Sequence, residues 1–246
     1  MKPIVLMVTH KPEVMYESEF IKPILVNHKI LAPKHWLRDN EDINISHKNP
    51  NYCELTALYW AWKNLSDDYT HVGLFHYRRM LAVKKDNIFF KKEKYKVYPE
   101  YLEKFYSDEV LLQKISQYKL LLPLPEKQNM TIAKHYCCRH IPEDWDLLMQ
   151  VLEEKMPKNF QNIKAYFTQT KRQFWANMFV MERTLFNQYA AWLFEILFEL
   201  ENRLPISQHP YQARVFGFMA ERLQNLYVNI ICPETSTQSF PCVMPK

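Results

Sequence analysis

Glycine is nearly missing from this chain: only Gly73 and Gly217 occur in 246 residues. A G-x-G-x-x-G dinucleotide loop or a Walker A phosphate loop needs several glycines close together, so both are excluded. Any bound nucleotide must have its phosphates held by side chains. Cysteine is sparse as well. There are five, an odd number, with no C-x-x-C spacing; Cys137 and Cys138 are adjacent and Cys53 falls inside an expected helix. This usage argues against a disulfide frame or a zinc knuckle and fits reduced thiols in a cytoplasmic protein. Long apolar runs are also lacking. Ile4–Val8 stops before His10-Lys11-Pro12, too short for the core of a signal peptide, and no stretch reaches membrane length. Charge of one sign does not dominate: 32 basic and 27 acidic residues leave a net +5. That suits a phosphorylated ligand or an anionic membrane surface and falls short of a dedicated nucleic-acid binder.

What is present is bulk. With 48% hydrophobic and 15% aromatic residues, the chain can build a substantial core, as one large domain or two closely packed small ones. Pro3–Thr9 reads as a buried strand with His10 and Lys11 at its carboxyl end. Residues 13–45 are expected to hold a short helix, a short strand around Ile30-Leu31 and a polar loop, Asp39–Asn44. A helix capped by Asn49, with Pro50 in its first turn, carries Leu55, Leu58, Tyr59, Trp62 and Leu65 at helical spacing. A strand over Thr70–His76 follows, then a basic, aromatic surface excursion from Lys84 to Tyr106. Strands are expected over Tyr118–Leu124 and Phe174–Met181, and helices over Pro142–Glu154, Thr184–Asn202 and Tyr211–Val228. Residues 233–246 read as a loosely packed tail. Strands alternating with helices give the α/β class, with a mainly parallel central sheet of five to seven strands flanked by helices.

The stretch Asn49–Arg79 is the most informative. Its strand ends in His76-Tyr77-Arg78-Arg79, which places an imidazole, a phenol and two guanidinium groups where open α/β sheets bind ligands. Arginine is suited to phosphate by its planar fork of donors. An exposed strand end with arginines paired to Asp67 or Asp68 accounts for the same residues. If the strand simply continues, His76 and Arg78 face one side and Tyr77 and Arg79 the other. Glu54, near a helix start, is explained by the helix dipole alone. His135, His140 and Asp144 have neither the spacing nor the unbroken helix of a zinc site. Asp144-Trp145-Asp146 has D-x-D spacing, but in a helical setting. Arg214, Glu221 and Arg222 share one expected helix, either as an ordinary salt-bridge pattern or as a carboxylate base between two cations.

The run Asn49-x-x-Tyr52-Cys53-Glu54-Leu55-Thr56-Ala57-x-Tyr59-Trp60-x-Trp62-Lys63-Asn64, followed by Val72-Gly73-Leu74-x-His76-Tyr77-Arg78-Arg79, resembles a bacterial family catalogued as a domain of unknown function. That family occurs in capsule, exopolysaccharide and O-antigen gene clusters. Thr9-His10-Lys11, Asn177-Met178-Phe179 before Trp192-Leu193-Phe194, and Arg214-Val215-x-Gly217-Phe218-x-Ala220-Glu221-Arg222-Leu223 extend the likeness over nearly the whole chain. The resemblance implies a GT-A-type glycosyltransferase. Residues 1–232 would form one nucleotide-sugar-binding domain, with donor binding in the N-terminal half and the acceptor side in the C-terminal half. It also implies a UDP-sugar donor, a galactosyl or galactofuranosyl group, and a glycan or lipid-linked acceptor in capsule, exopolysaccharide or lipopolysaccharide synthesis.

On that reading Thr9, His10 and Lys11 line the nucleotide end, while His76, Arg78 and Arg79 stabilise the diphosphate, with Lys48 and Arg214 as further donor-side candidates. Glu221 leads as general base, ahead of Asp144 and Glu54, and Asn177 positions sugar or acceptor. The family fold normally keeps D-x-D at the central strand end; its absence here puts metal dependence in doubt, so that with cationic side chains in its place no metal cofactor is required, a divalent metal staying open as the alternative. The expected location is cytoplasmic, peripheral to the inner membrane. Two other readings compete: a non-catalytic nucleotide-sugar or glycan-binding module, and a nucleic-acid binder using Lys84–Tyr106. Asp86, Glu93, Glu100 and Glu103 count against the latter, so no nucleic-acid partner is expected, and contact with an anionic membrane uses the same stretch more economically.

Overall fold

A computed structural model describes residues 1–26, 30–85 and 93–246. Its strands are β1 (Pro3–Thr9), β2 (Ile21–Leu25), β3 (Leu37–Arg38), β4 (His71–His76), β5 (Met80–Leu81), β6 (Lys94–Val97), β7 (Leu120–Pro123), β8 (Glu126–Lys127), β9 (Arg172–Gln173), β10 (Phe179–Glu182), β11 (Thr237–Phe240) and β12 (Cys242–Pro245). A seven-stranded central sheet has the order β11-β7-β10-β4-β1-β2-β3. β10 runs antiparallel to both of its neighbours, β4 and β7; the other pairings in that sheet are parallel. β5, β12 and β6 make a small second sheet, and β8 and β9 a two-stranded ribbon. The helices are α1 (Asn49–Tyr52), α2 (Leu55–Asn64), α3 (Asp108–Ile115), α4 (Ile132–Arg139), α5 (Pro142–Lys155), α6 (Phe160–Gln169), α7 (Arg183–Arg203) and α8 (Val215–Leu226). This is the expected α/β class, a mostly parallel central sheet between covering layers.

Strand periodicity divides the core. On β1, Ile4, Leu6 and Val8 join the larger cluster, while Val5 and Met7 join the smaller one on the opposite face. β1 is buried along its whole length, as a central parallel strand must be. α7 covers the larger face through Leu185, Phe186, Tyr189, Ala190, Leu193, Phe194, Leu197 and Leu200, which recur every three or four residues. Each large apolar side chain fully buried this way contributes roughly 1.5–3 kcal/mol. Gly73 lies in β4 between β1 and β10. A Cβ there would meet Val5 Cγ2 at 2.9 Å and Val180 Cγ2 at 3.1 Å, so only a bare backbone fits.

Several expectations are corrected. The helix expected from Asn49 is two helices, because Cys53 (φ 53°, ψ −130°) cannot continue a helical turn, and Lys48 rather than Asn49 precedes the first. The second strand lies at Ile21–Leu25 instead of Ile30-Leu31, where Leu31 is 93% exposed; no helix occupies the described residues between 13 and 45. Phe174–Met178 is not strand, since Ala176 and Asn177 adopt φ of 72° and 48°. Within Lys84–Tyr106, Lys94–Val97 is a paired strand and Leu102 and Tyr106 are buried, so the stretch is partly structural; its residues 86–92, Asp86 included, lie outside the described residues. The tail is not loose. β11 forms an edge of the central sheet and β12 the middle of the small one, with Phe240 and Val243 fully buried.

Candidate active site

β1 and β4 end side by side, with Val8 opposite His76. After β1 the Thr9 hydroxyl accepts from the Lys11 N–H (3.0 Å) and donates to the carbonyl of Lys11 (2.8 Å) or Glu13 (3.0 Å). Thr9 is buried, so its hydroxyl shapes the loop that carries His10. After β4 the strand does not continue through His76-Tyr77-Arg78-Arg79. It reverses: the His76 N–H donates to the Arg79 carbonyl (3.0 Å) and the Arg79 N–H to the His76 carbonyl (2.9 Å), leaving Tyr77 and Arg78 at the tip. The alternation expected for a straight strand is therefore overturned, and all four side chains line one cleft. Arg78 lies 4.7 Å over the Tyr77 ring, whose edge meets His10 at 5.0 Å. Neither arginine pairs with Asp67, which holds Arg183 instead, or with Asp68, which holds Lys2.

The opposite wall comes from three distant segments. The break at Cys53 places Glu54 at the start of α2, and α8 approaches that break at its one glycine, Gly217. A Cβ on Gly217 would lie 3.2 Å from Cys53 Sγ. β10, being reversed, brings the turn that precedes it to the same edge. There the Ala176 N–H donates to Glu221 Oε1 (2.8 Å), and Asn177 Nδ2 donates to Glu54 Oε1 (2.6 Å) and to the Gly217 carbonyl (3.3 Å). His76 Nε2 bonds the Ala176 carbonyl, which can only accept, so that nitrogen carries the proton. Arg222 Nη1 donates to the second Glu221 oxygen (2.9 Å).

The resulting cleft has a volume of about 750 Å³. Arg78, Arg79, Lys96 and Arg214 line it together with two carboxylates, Glu54 and Glu221. Burial raises the Glu221 pKa, opposed mainly by the Arg222 charge; the Glu54 charge raises it further. Burial lowers the His10 pKa, assisted by Lys11, Arg78 and Arg214. Cys53 is pushed up to about 11 by burial and by Glu54, so the thiol is protonated at neutral pH while its sulfur accepts from Arg214 Nε (3.2 Å). A second pocket of about 380 Å³ adjoins, and the two share Arg79 and Glu221.

Of the residues singled out from sequence, Thr9, His10, Glu54, His76, Arg78, Arg79, Arg214 and Glu221 come together around the cleft, with Asn177 held against it through Glu54. Lys11 is exposed beside His10 and does not line the cleft. Lys48 is elsewhere: it pairs with Glu201 and lies over Phe198, so its charge is already spent. Asp144 is buried in the first turn of α5 and lines neither pocket. Sequence reading missed Cys53 and Ala176, whose unusual backbone has no local signature, and Lys96 and Pro245, which arrive only through the β6–β12 pairing.

The family described as "Domain of unknown function (DUF4422)" matches residues 4–231. The chain belongs to that family. No curated protein matches it. Among solved structures, the DUF4422 chain is similar to the WbbM bifunctional glycosyltransferase in its apo form, at 27% identity and a TM-score of 0.86. The alignment covers 100% of this chain and 46% of that one, so this chain spans less than half of its relative. The mannosyltransferase Ktr4p from S. cerevisiae aligns over 97% of this chain and 68% of its own at 12% identity; a TM-score of 0.41 is too low to carry an argument. The DUF4422 match ends before β11 and β12, yet those strands complete both sheets.

Proposed function

We propose that this DUF4422 protein is a glycosyltransferase that moves a hexosyl group from a nucleotide sugar to a growing glycan. The single observation that carries the proposal is the composition of the cleft: several cationic side chains and a half-buried carboxylate beside the carboxyl ends of β1 and β4. Likeness to a glycosyltransferase over the whole chain supports it. The nucleotide end lies at Thr9 and His10. Arg78, Arg79 and Arg214, with Lys96, face the diphosphate and neutralise the charge that develops as it leaves, while His76, its Nε2 proton held by Ala176, shapes the wall. In an inverting reaction the acceptor hydroxyl attacks the anomeric carbon, its proton passes to Glu221, and the bond to the diphosphate breaks. Each Glu221 oxygen accepts one hydrogen bond and keeps a lone pair for that proton. The raised pKa makes it a stronger base than an exposed glutamate.

The resemblance supplies the finer terms: a UDP-sugar donor, a galactosyl or galactofuranosyl group, and an acceptor in capsule, exopolysaccharide or lipopolysaccharide synthesis at the cytoplasmic face of the inner membrane. No helix among the described residues is long and apolar enough to cross a membrane. With cations in the diphosphate position, no metal cofactor is required. Thermal shift with UDP-, GDP- and dTDP-sugars tests the donor, since a ligand that binds only the folded state raises its stability by about 2.7 kcal/mol at a hundred times Kd. The UDP-sugars are expected to raise the melting temperature, and no shift with any nucleotide sugar would overturn the donor assignment. Turnover is expected to persist in excess chelator; complete loss would sink the metal-free part.

A further inference from the structure

The pocket beside the cleft differs from it in chemistry. Charged groups line both, Lys94, Arg139 and Glu126 among those of the pocket, but the pocket adds one wall of larger rings: Trp175, His140, Tyr211 and Phe218. His140 lies flat against Phe218, centroids 4.1 Å apart, and Tyr211 continues the stack at 5.9 Å from His140. Burial, reinforced by the Arg222 charge, lowers His140 to about 4 and draws His135 down as well, so both imidazoles are neutral at physiological pH. Flat, uncharged rings with polar edges match the C–H face of a sugar ring, and Gln128 and the imidazole nitrogens can meet its hydroxyls. A volume of about 380 Å³ falls within the range of small-ligand sites.

The floor is built around Arg222, which is 1% exposed. Its guanidinium lies 5.3 Å from the Trp175 ring and 5.4 Å from the Tyr136 ring. Nη1 donates to the Phe218 carbonyl and to Glu221, both at 2.9 Å, while Nε is buried with no partner among the described residues. One buried cation thus fixes the pocket's aromatic wall and the carboxylate at its junction with the cleft. Glu221 and Arg79 line both cavities, so a hydroxyl on a ring seated in the pocket is directed toward the carboxylate assigned as base.

We infer that this pocket is the acceptor subsite, seating the terminal hexose ring of the acceptor glycan against Trp175 and the Phe218–His140–Tyr211 stack. The assignment rests on the glycosyltransferase reading. It is tested with the full chain saturated with UDP, using saturation-transfer NMR with the methyl pyranosides of galactose, glucose, mannose and N-acetylglucosamine as probes. At least one hexoside is expected to bind, and Trp175→Ala and Tyr211→Ala are each expected to weaken it about tenfold. The thermal shift produced by UDP stays unchanged in both. Tyr211 is 49% exposed, so its truncation leaves the core intact even if Trp175→Ala fails to fold. Hexoside binding unaffected by Tyr211→Ala, or no hexoside binding by a protein that binds UDP, overturns the subsite. Failure of UDP and every nucleotide sugar to shift the wild-type melting temperature overturns the donor reading instead.

Discussion

At the scale of single residues, Glu221 combines two properties that sequence could only offer as alternatives. It is half of a salt bridge with Arg222, and it also borders the cleft. Glutamine in its place keeps one acceptor oxygen, enough for Ala176 or Arg222 but not both, and cannot take a proton. Glu221→Gln is therefore expected to lower transfer by about 10²–10⁴, the usual contribution of a general base, while the donor-induced thermal shift survives. Full activity in a single-turnover assay would remove Glu221 from the mechanism. Asp144, the other carboxylate considered as a base, behaves as a buried acid. Burial, with some help from Glu143, pushes its pKa up to about 6 from an ordinary 3.8. Because the folded state holds this proton more tightly than the unfolded one, stability falls as pH rises between roughly 4 and 6. Asp144→Asn abolishes that dependence: its stability relative to wild type should climb across this window and level off above it. Urea titrations from pH 4 to 7 would show this, and a pH-independent difference would refute it.

Among the elements, those with a full period of apolar residues were legible. β1, β4, β7, α5, α7 and α8 fall within a few residues of expectation, because a buried run or a helical stripe declares itself locally. β2 was missed because Lys22 and Pro23 interrupt its apolar run, although Pro23 pairs with Met7 inside the sheet. β3, β5, β8 and β9 have two residues each, too few to show any period. The clustering of His76, Arg78, Arg79 and Glu221 was legible as chemistry, but the turn that gathers the first three was not, since it depends on a reversal within the motif. Both glycines record close approaches between elements. Gly73→Ala would force a methyl into Val5 and Val180 across two strand pairings, where flexible retreat is blocked by the packed sheet. Overpacking of this kind costs about 1–3 kcal/mol, which a lowered urea midpoint with an unchanged m-value would register. An unaltered midpoint would show that the sheet can open at this point without loss.

At the scale of the whole molecule, the C-terminal strands are structural. Truncation after Cys232 removes β11 from the sheet edge beside β7 and β12 from between β5 and β6. It also strips away the buried Phe240 and Val243, each contributing roughly 1.5–3 kcal/mol, and the Met244-Pro245 wall of the cleft. The truncated chain is expected to lose its cooperative thermal transition or to melt far below wild type; an unchanged melting curve would restore the tail to a loose appendage. The reversal of β10 has a consequence of its own. Ala176 and Asn177, two successive left-handed residues, hold Glu221 on one side and Glu54 on the other. The two acids therefore ride on a common mount. Their spacing is set by the geometry of a single turn as well as by the two helices that carry them.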